Sequence, residues 1–142
     1  MTRDEIGTHC FNLALRRAAR TATRVYDHAL KPVGLTSGQF SILTLLSEEP
    51  VPSFQQIADA MALDRTTLSA ALKPMERMGL VVSLVDPEDR RRRPLGMTSL
   101  GRATFLEAVE LWKTAQSRIE ESIGVDSATS LLPALARFSF PE

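Results

Sequence analysis

Three helix starts crowd into the stretch from Thr36 to Asp64, and this spacing restricts the fold more than any other feature of the chain. Thr36 with Gln39, and Ser53 with Gln56, follow the capping-box pattern, in which each side chain satisfies a backbone N–H left free in the first helical turn. Asp64 is a third capping residue, ahead of the inward-facing run Leu68, Ala71, Leu72 and Met75. Pro50 and Pro52 break the chain between the first two starts, and Gly79 is a stop for the last helix. The pattern predicts a helix from Ser37 to about Leu46, a short one carrying Ile57, Ala58 and Met61, and a third from Asp64 toward Gly79. Helices this short are stable only when packed on one another. Pro74 lies inside the third, where a proline costs about 3 kcal/mol, so a kink or a stop is expected near Lys73.

Longer helices are predicted on either side. From about Thr8 to Lys31, Phe11, Leu15, Ala18, Ala22, Val25 and Ala29 alternate four and three apart, until Pro32 and Gly34 end the run. From Ser99 to Ile123 the stripe is Phe105, Val109, Trp112, Gln116, Ile119 and Ile123. Gly124 and Asp126 open a last helical segment, interrupted by Pro133, with Leu131, Leu132, Leu135 and Phe138 to bury. Between these helices, Leu80 to Val85 reads as a strand, Asp86 to Pro94 as a polar loop dense in arginine, and Leu95 to Thr98 as a return strand. The expected fold is mainly α with a small β-hairpin wing, a winged helix-turn-helix. Its 142 residues, 44% of them hydrophobic, suffice for one domain spanning 1–142. Within it, 36–98 forms the winged lobe, and 8–34 and 99–142 supply terminal helices suited to pairing with a second copy.

Met1 to Arg20 lacks the basic-then-apolar design of a secretory signal, and no apolar run approaches the roughly 20 residues of a membrane span. A soluble, cytoplasmic protein without a membrane partner is expected. Cys10 is the only cysteine, so no disulfide can form within the chain. The formal net charge is zero, but the charges are unevenly placed. Arginines gather at Arg16, Arg17, Arg20 and Arg24 and again at Arg90 to Arg93, while Glu107, Glu110, Glu120 and Glu121 lie in the C-terminal third.

The run from Gln56 to Leu72 has the form of a bracing helix, a tight turn and a probe helix. The major groove of B-DNA, about 12 Å wide, admits a helix held at a fixed angle by another. Ile57, Ala58, Leu63 and Leu68 would form the core between the two, and Ala62 holds a turn position where glycine is common. A left-handed conformation at Ala62 would cost roughly 1 kcal/mol. The outer face of the probe helix carries Arg65, Thr66, Thr67, Ser69, Lys73 and Arg77, donors suited to base edges and phosphates, though the same residues also suit an ordinary solvated face. Consecutive arginines repel one another unless a polyanion is near, and a hairpin tip can deliver Arg90, Arg91 or Arg92 into a narrow minor groove. Asp89 can orient Arg91, brace the wing against the probe helix, or simply satisfy turn backbone groups.

Four segments resemble the MarR family in order and spacing: Gly34-Leu35-Thr36 with Gln39-Phe40, Leu63 to Ser69, Leu72 to Arg77, and Asp86 to Arg91, followed by Leu95, Met97, Thr98 and Gly101. The resemblance implies a homodimer joined by its terminal helices. It also implies binding to a pseudo-palindromic DNA operator, usually as a repressor that a ligand or an oxidant releases. Heptad-like spacing in the two long helices points to the same pairing, although they can also pack within one chain.

An effector site is less sharply marked. Family members bind small aromatic or phenolic anions, and Arg16, Arg20, Tyr26 and Trp112 have the chemistry to hold one, a guanidinium for the carboxylate and rings for the walls. Cys10 is similar in position to the oxidisable cysteine of the family's hydroperoxide sensors. Counted back from Arg20 and Tyr26, however, that cysteine position falls on Asn12 and the sensors' upstream tyrosine on Arg16. His9 and Arg16 are the groups that could assist a Cys10 thiolate. Two histidines, no Gly-rich phosphate loop and no metal-ligand cluster argue against an enzyme, and no cofactor or metal is expected. The remaining alternative is a winged helix that binds only protein, which would leave the arginine wing without a role.

Overall fold

The computed structural model describes residues 1–84, 88 and 94–139. In chain order these form α1 (Arg3–His9), α2 (Phe11–Leu30), a 3-10 turn (Lys31–Val33), α3 (Ser37–Leu46), α4 (Phe54–Ala60), α5 (Arg65–Arg77), β1 (Val81–Ser83), β2 (Leu95–Met97), α6 (Ser99–Ile123) and α7 (Val125–Ala136). Each cap behaves as its chemistry dictates. The Thr36 hydroxyl accepts from the Gln39 N–H at 3.2 Å, and the Gln39 side chain accepts from the Thr36 N–H at 3.0 Å. Ser53 and Gln56 exchange the same pair of bonds at 3.1 and 2.8 Å, and Asp64 accepts from the Thr67 N–H at 2.7 Å.

Two differences from the sequence reading concern helix ends. The first helical run starts earlier than Thr8, because Thr2 and Glu5 form a capping box of their own. It breaks at Cys10, which is extended. In the last turn of α1 side chains add to the helical ladder: the Thr8 hydroxyl donates to the carbonyls of Asp4 and Glu5, and the His9 ring Nδ1 lies 2.9 Å from the Glu5 oxygen. Neither interior proline stops its helix. Pro74 sits within α5, which continues to Arg77, and Pro133 sits within α7, which continues to Ala136. The carbonyls that lose a donor belong to Ala70 and Thr129, both exposed, so water can satisfy them.

The chain divides into two compact units. The unit Leu30–Glu110 contains α3, α4, α5, both strands and the first half of α6. Its core is Leu30, Leu35, Ile42, Leu43, Leu46, Ile57, Leu68, Leu72 and Met75, all buried. Phe40 of α3 meets Phe105 of α6 with ring centroids 5.6 Å apart. The strands pair antiparallel in the register Val81–Met97, Val82–Gly96 and Ser83–Leu95, and a bond from Leu84 N–H to the Pro94 carbonyl at 2.7 Å extends the ladder. Val85 and the loop beyond it, apart from Glu88 and Pro94, lie outside the described residues.

The second unit combines Met1–Ala29 with Leu111–Glu142. Leu131, Leu132, Leu135 and Phe138, expected from the sequence to be buried, are exposed. The buried residue of α7 is Ala128, so most of the helix's apolar surface is uncovered within one chain.

At the junction of hairpin and α6, Thr98 donates from its hydroxyl to the carbonyls of Gly79 and Leu80 at 2.5 and 3.2 Å, and accepts from the Gly101 N–H at 2.9 Å. Gly101 lies so close to this strand entry that a Cβ would stand 2.1 Å from the Leu80 carbonyl oxygen. Backbone cannot move aside as a flexible side chain can. Gly101→Ala is therefore expected to destabilise the fold by about 3 kcal/mol, the upper end of ordinary overpacking, measured by urea denaturation.

Candidate nucleic-acid interface

The turn between α4 and α5 is built from backbone alone. Leu63 N–H reaches back to the Ala58 carbonyl at 2.9 Å, and Ala62 N–H to Asp59 at 3.1 Å, the paired bonds of a Schellman motif. That motif needs a left-handed residue at its centre, and Ala62 takes it with φ of 54°. Behind the turn Ile57, Ala58 and Leu68 are fully buried, and Leu63 is half-buried. These four residues set how α5 leaves α4, and thereby which of its side chains face water.

Arg65, Thr66, Thr67, Ser69, Lys73 and Arg77 are all exposed, while Leu68, Leu72 and Met75 on the other side of α5 are buried. The structure thus gathers the six donors of the sequence reading on the outward side of one helix. Asp89, Arg90, Arg91 and Arg92 lie outside the described residues. Between the start of α4, the outward face of α5 and the hairpin arms runs an open groove of about 940 Å³, lined in part by Ser53, Gln55, Arg65, Ser69, Lys73 and Ser83. Glu76 also borders it, and Ser83 Oγ donates to its carboxylate at 3.4 Å.

Sequence reasoning missed two residues of this face. Arg65 Nη1 donates to Gln55 Oε1 at 2.8 Å, and its guanidinium lies over the Phe54 ring, 4.7 Å from the centroid. Gln55 in turn donates from Nε2 to Asp59 at 2.8 Å. The only signal in the sequence is the Phe-Gln pair opening α4, and its partner stands ten residues away across a turn.

Asp64 anchors the start of α5. Its carboxyl is held below the usual aspartate range, chiefly by the hydrogen bond from the Thr67 N–H and then by the Thr67 hydroxyl. A lowered folded value means that the cap contributes above the unfolded aspartate value, about 4, and is lost as pH falls through the lowered one.

The other candidates lie in the unit of terminal helices. Tyr26 donates from its hydroxyl to Gln116 Oε1, and Gln116 Nε2 donates to Glu120 at 2.9 Å. Burial, then the Glu120 charge, raise the Tyr26 hydroxyl above the ordinary tyrosine value, so it remains a protonated donor near neutrality. Trp112 is half-buried, Arg20 is exposed, and Arg16 is exposed with its Nε donating to Asn12 at 3.2 Å. Cys10, a free thiol, is half-buried at the break between α1 and α2. The two groups named as its helpers are engaged elsewhere, His9 with Glu5 and Arg16 with Asn12. Among the described residues, no His, Cys, Asp and Glu group could hold a metal, and no helix is long and apolar enough to cross a membrane.

Residues 35–92 match the model of the MarR family. The chain is 30% identical over 128 residues to the HTH-type transcriptional regulator FarR of Neisseria gonorrhoeae, a match covering 90% of this chain and 88% of FarR. Its structure is similar to the transcriptional repressor CouR bound to a 23-mer DNA duplex, with 34% identity, a TM-score of 0.84 and 96% of each chain covered. CouR bound to p-coumaroyl-CoA is also similar, with 31% identity, a TM-score of 0.81, and 94% of this chain and 96% of that one covered.

Two outcomes follow from the turn and the cap. Ala62→Gly removes the left-handed penalty at some entropic cost in the unfolded chain, so it should raise stability by about 0.5 kcal/mol in urea unfolding. Hydrogen exchange at the Thr67 amide should accelerate as pH falls below about 4, once its intrinsic pH dependence is removed, and Asp64→Ala should abolish that transition.

Proposed function

This chain belongs to the MarR family, and on that premise we propose that it is a transcriptional repressor that binds a double-stranded, pseudo-palindromic operator as a homodimer and is released by a small-molecule effector. The observation that carries the reading is the outward face of α5, with six hydrogen-bond donors held at a set angle by the α4 turn. On this reading Arg65, Thr66, Thr67 and Ser69, at the start of the helix, address base edges. Lys73 and Arg77 address phosphates, and Asp89, Arg90, Arg91 and Arg92 form the wing contact. Residues 36–98 are the DNA-binding lobe of a single domain spanning 1–142.

Pairing is assigned to 8–34 and 99–142. The support is apolar surface that one copy leaves in water: Phe11 is 78% exposed, Leu132 61% and Phe138 58%. Each costs solvation free energy that a second copy would recover. A two-fold pair also matches an operator whose half-sites lie one helical turn, about 34 Å, apart.

The effector is assigned to the aromatic or phenolic anions. CouR, the similar repressor, has been solved bound to p-coumaroyl-CoA, a molecule both phenolic and anionic. In this chain, Tyr26 offers a protonated hydroxyl, Trp112 an aromatic wall, and Arg16 and Arg20 exposed positive charge. The protein acts by binding and not by catalysis, and does so in the cytoplasm, where bacterial operators are found.

The test is a titration of a duplex selected by the protein from a randomised library, at several salt concentrations. Affinity should fall steeply as salt rises, with two chains bound per duplex. Arg65→Ala should lose about 1 to 3 kcal/mol of discrimination. Arg91→Ala should weaken binding and lower the salt slope by about one. A monomer on the duplex, or enrichment of no sequence from the library, would overturn the reading.

A further inference from the structure

Arg65 is the first residue of α5, and a long arginine there would ordinarily sample many rotamers in water. Here it is restrained from two directions. Gln55 Oε1 accepts from Nη1 at 2.8 Å, and the guanidinium carbon stands over the Phe54 ring, 4.7 Å from its centroid. The Gln55 amide is itself oriented: its Nε2 donates to Asp59 at 2.8 Å, so its oxygen is directed toward the cation and its nitrogen toward the anion. The reverse orientation would set donor against donor and acceptor against acceptor. The row from Asp59 through Gln55 to Arg65 therefore has one favourable polarity.

The arrangement leaves one edge of the guanidinium available. Nη1 is engaged, whereas the Nε–Nη2 edge makes no hydrogen bond among the described residues. Two parallel N–H donors at that spacing match the O6 and N7 acceptors that guanine presents in the major groove. The Arg65 head borders the groove between α4, α5 and the hairpin arms, on the outward side.

We propose that Gln55 is a positioning residue for base recognition: with Phe54 beneath, it fixes the Arg65 guanidinium so that its free edge reads a guanine in each half-site. The proposal rests on the operator-binding reading and adds to it how one contact is prepared before DNA arrives. Restraining the side chain in the free protein removes part of the ordering cost of binding, and that saving is realised on the cognate base alone. Gln55 touches no base in this scheme and acts through Arg65.

The test is a double-mutant cycle on the full-length protein. Wild type, Gln55→Ala, Arg65→Ala and the double variant are titrated against the library-selected duplex and a scrambled duplex of the same composition, and the ratio of the two affinities is read. Gln55 and Arg65 are exposed, so each variant should fold, and thermal unfolding checks it. Arg65→Ala should reduce the ratio about 10- to 100-fold. Gln55→Ala should reduce it about 3- to 10-fold with affinity for the scrambled duplex unchanged, and the double variant should be no worse than Arg65→Ala. Asp59→Asn, which still offers an acceptor oxygen to Gln55, should retain the ratio, and Asp59→Ala should lose part of it.

Additive losses would mean that Gln55 acts independently of Arg65 and would overturn the proposal while leaving operator binding intact. So would an equal loss on both duplexes for Arg65→Ala, which would make Arg65 a phosphate contact. A wild-type protein that does not distinguish the duplexes would overturn operator recognition itself, and this inference with it.

Discussion

The geometry of the unit Leu30–Glu110 depends on how closely α6 approaches the end of α5. The α5 helix closes in a second Schellman turn, with Leu80 N–H reaching the Met75 carbonyl at 3.0 Å and Gly79 N–H reaching Glu76 at 3.0 Å. Two residues later the chain is in β1, and when it returns along β2, Thr98 ties back to Gly79 and Leu80 through its hydroxyl and to Leu80 again through its N–H at 3.0 Å. Gly101 permits this by having no side chain where the Leu80 carbonyl stands. Probe helix, hairpin and the first turn of α6 are thus joined at one point. The base of the wing has a defined place relative to α5 because both leave that point.

Much of the fold was legible in the sequence, because local chemistry decides most of it. Thr36, Ser53 and Asp64 cap the helices they were expected to cap, and the Ser99–Ile123 helix has the bounds that its apolar spacing predicted. The failures arise where the outcome depends on surroundings. Of the kink or stop expected at Pro74, the stop does not occur: α5 runs on to Arg77, and the Ala70 carbonyl that loses its donor is exposed and open to water. The early start of α1 was missed for a different reason: Thr2 and Glu5 cap a helix with no apolar stripe to draw attention to it. For α7 the apolar stripe says that a surface needs covering and not which molecule covers it, and one chain alone leaves Leu131, Leu132, Leu135 and Phe138 exposed.

The same distinction applies to the site. That Arg65, Ser69, Lys73 and Arg77 lie on one side of a helix follows from periodicity, and the left-handed Ala62 follows from its place in the turn. What Arg65 touches within the protein does not follow from either. The Gln55 and Phe54 contacts depend on the angle between α4 and α5, which is set by Ile57, Ala58 and Leu68 packing beneath the turn. Contacts across a helix crossing are tertiary facts, and a single sequence records them only as unremarkable polar and aromatic residues.

Zero net charge looks unsuited to a protein that acts on a polyanion, but it bears on specificity. A strongly basic protein is drawn to any duplex by its overall field, which raises non-specific affinity along with the rest. A neutral one gains mainly from charges within about a Debye length, roughly 8 Å at physiological salt, which limits the contribution to side chains at the contact itself. The balance between specific and non-specific binding then rests on a few well-placed donors. Since a genome offers about a million or more competing sites, that ratio governs occupancy more than affinity alone. In such a protein an arginine already oriented before contact is worth more than another arginine free to move, because added charge strengthens every duplex equally and orientation strengthens only the one that fits.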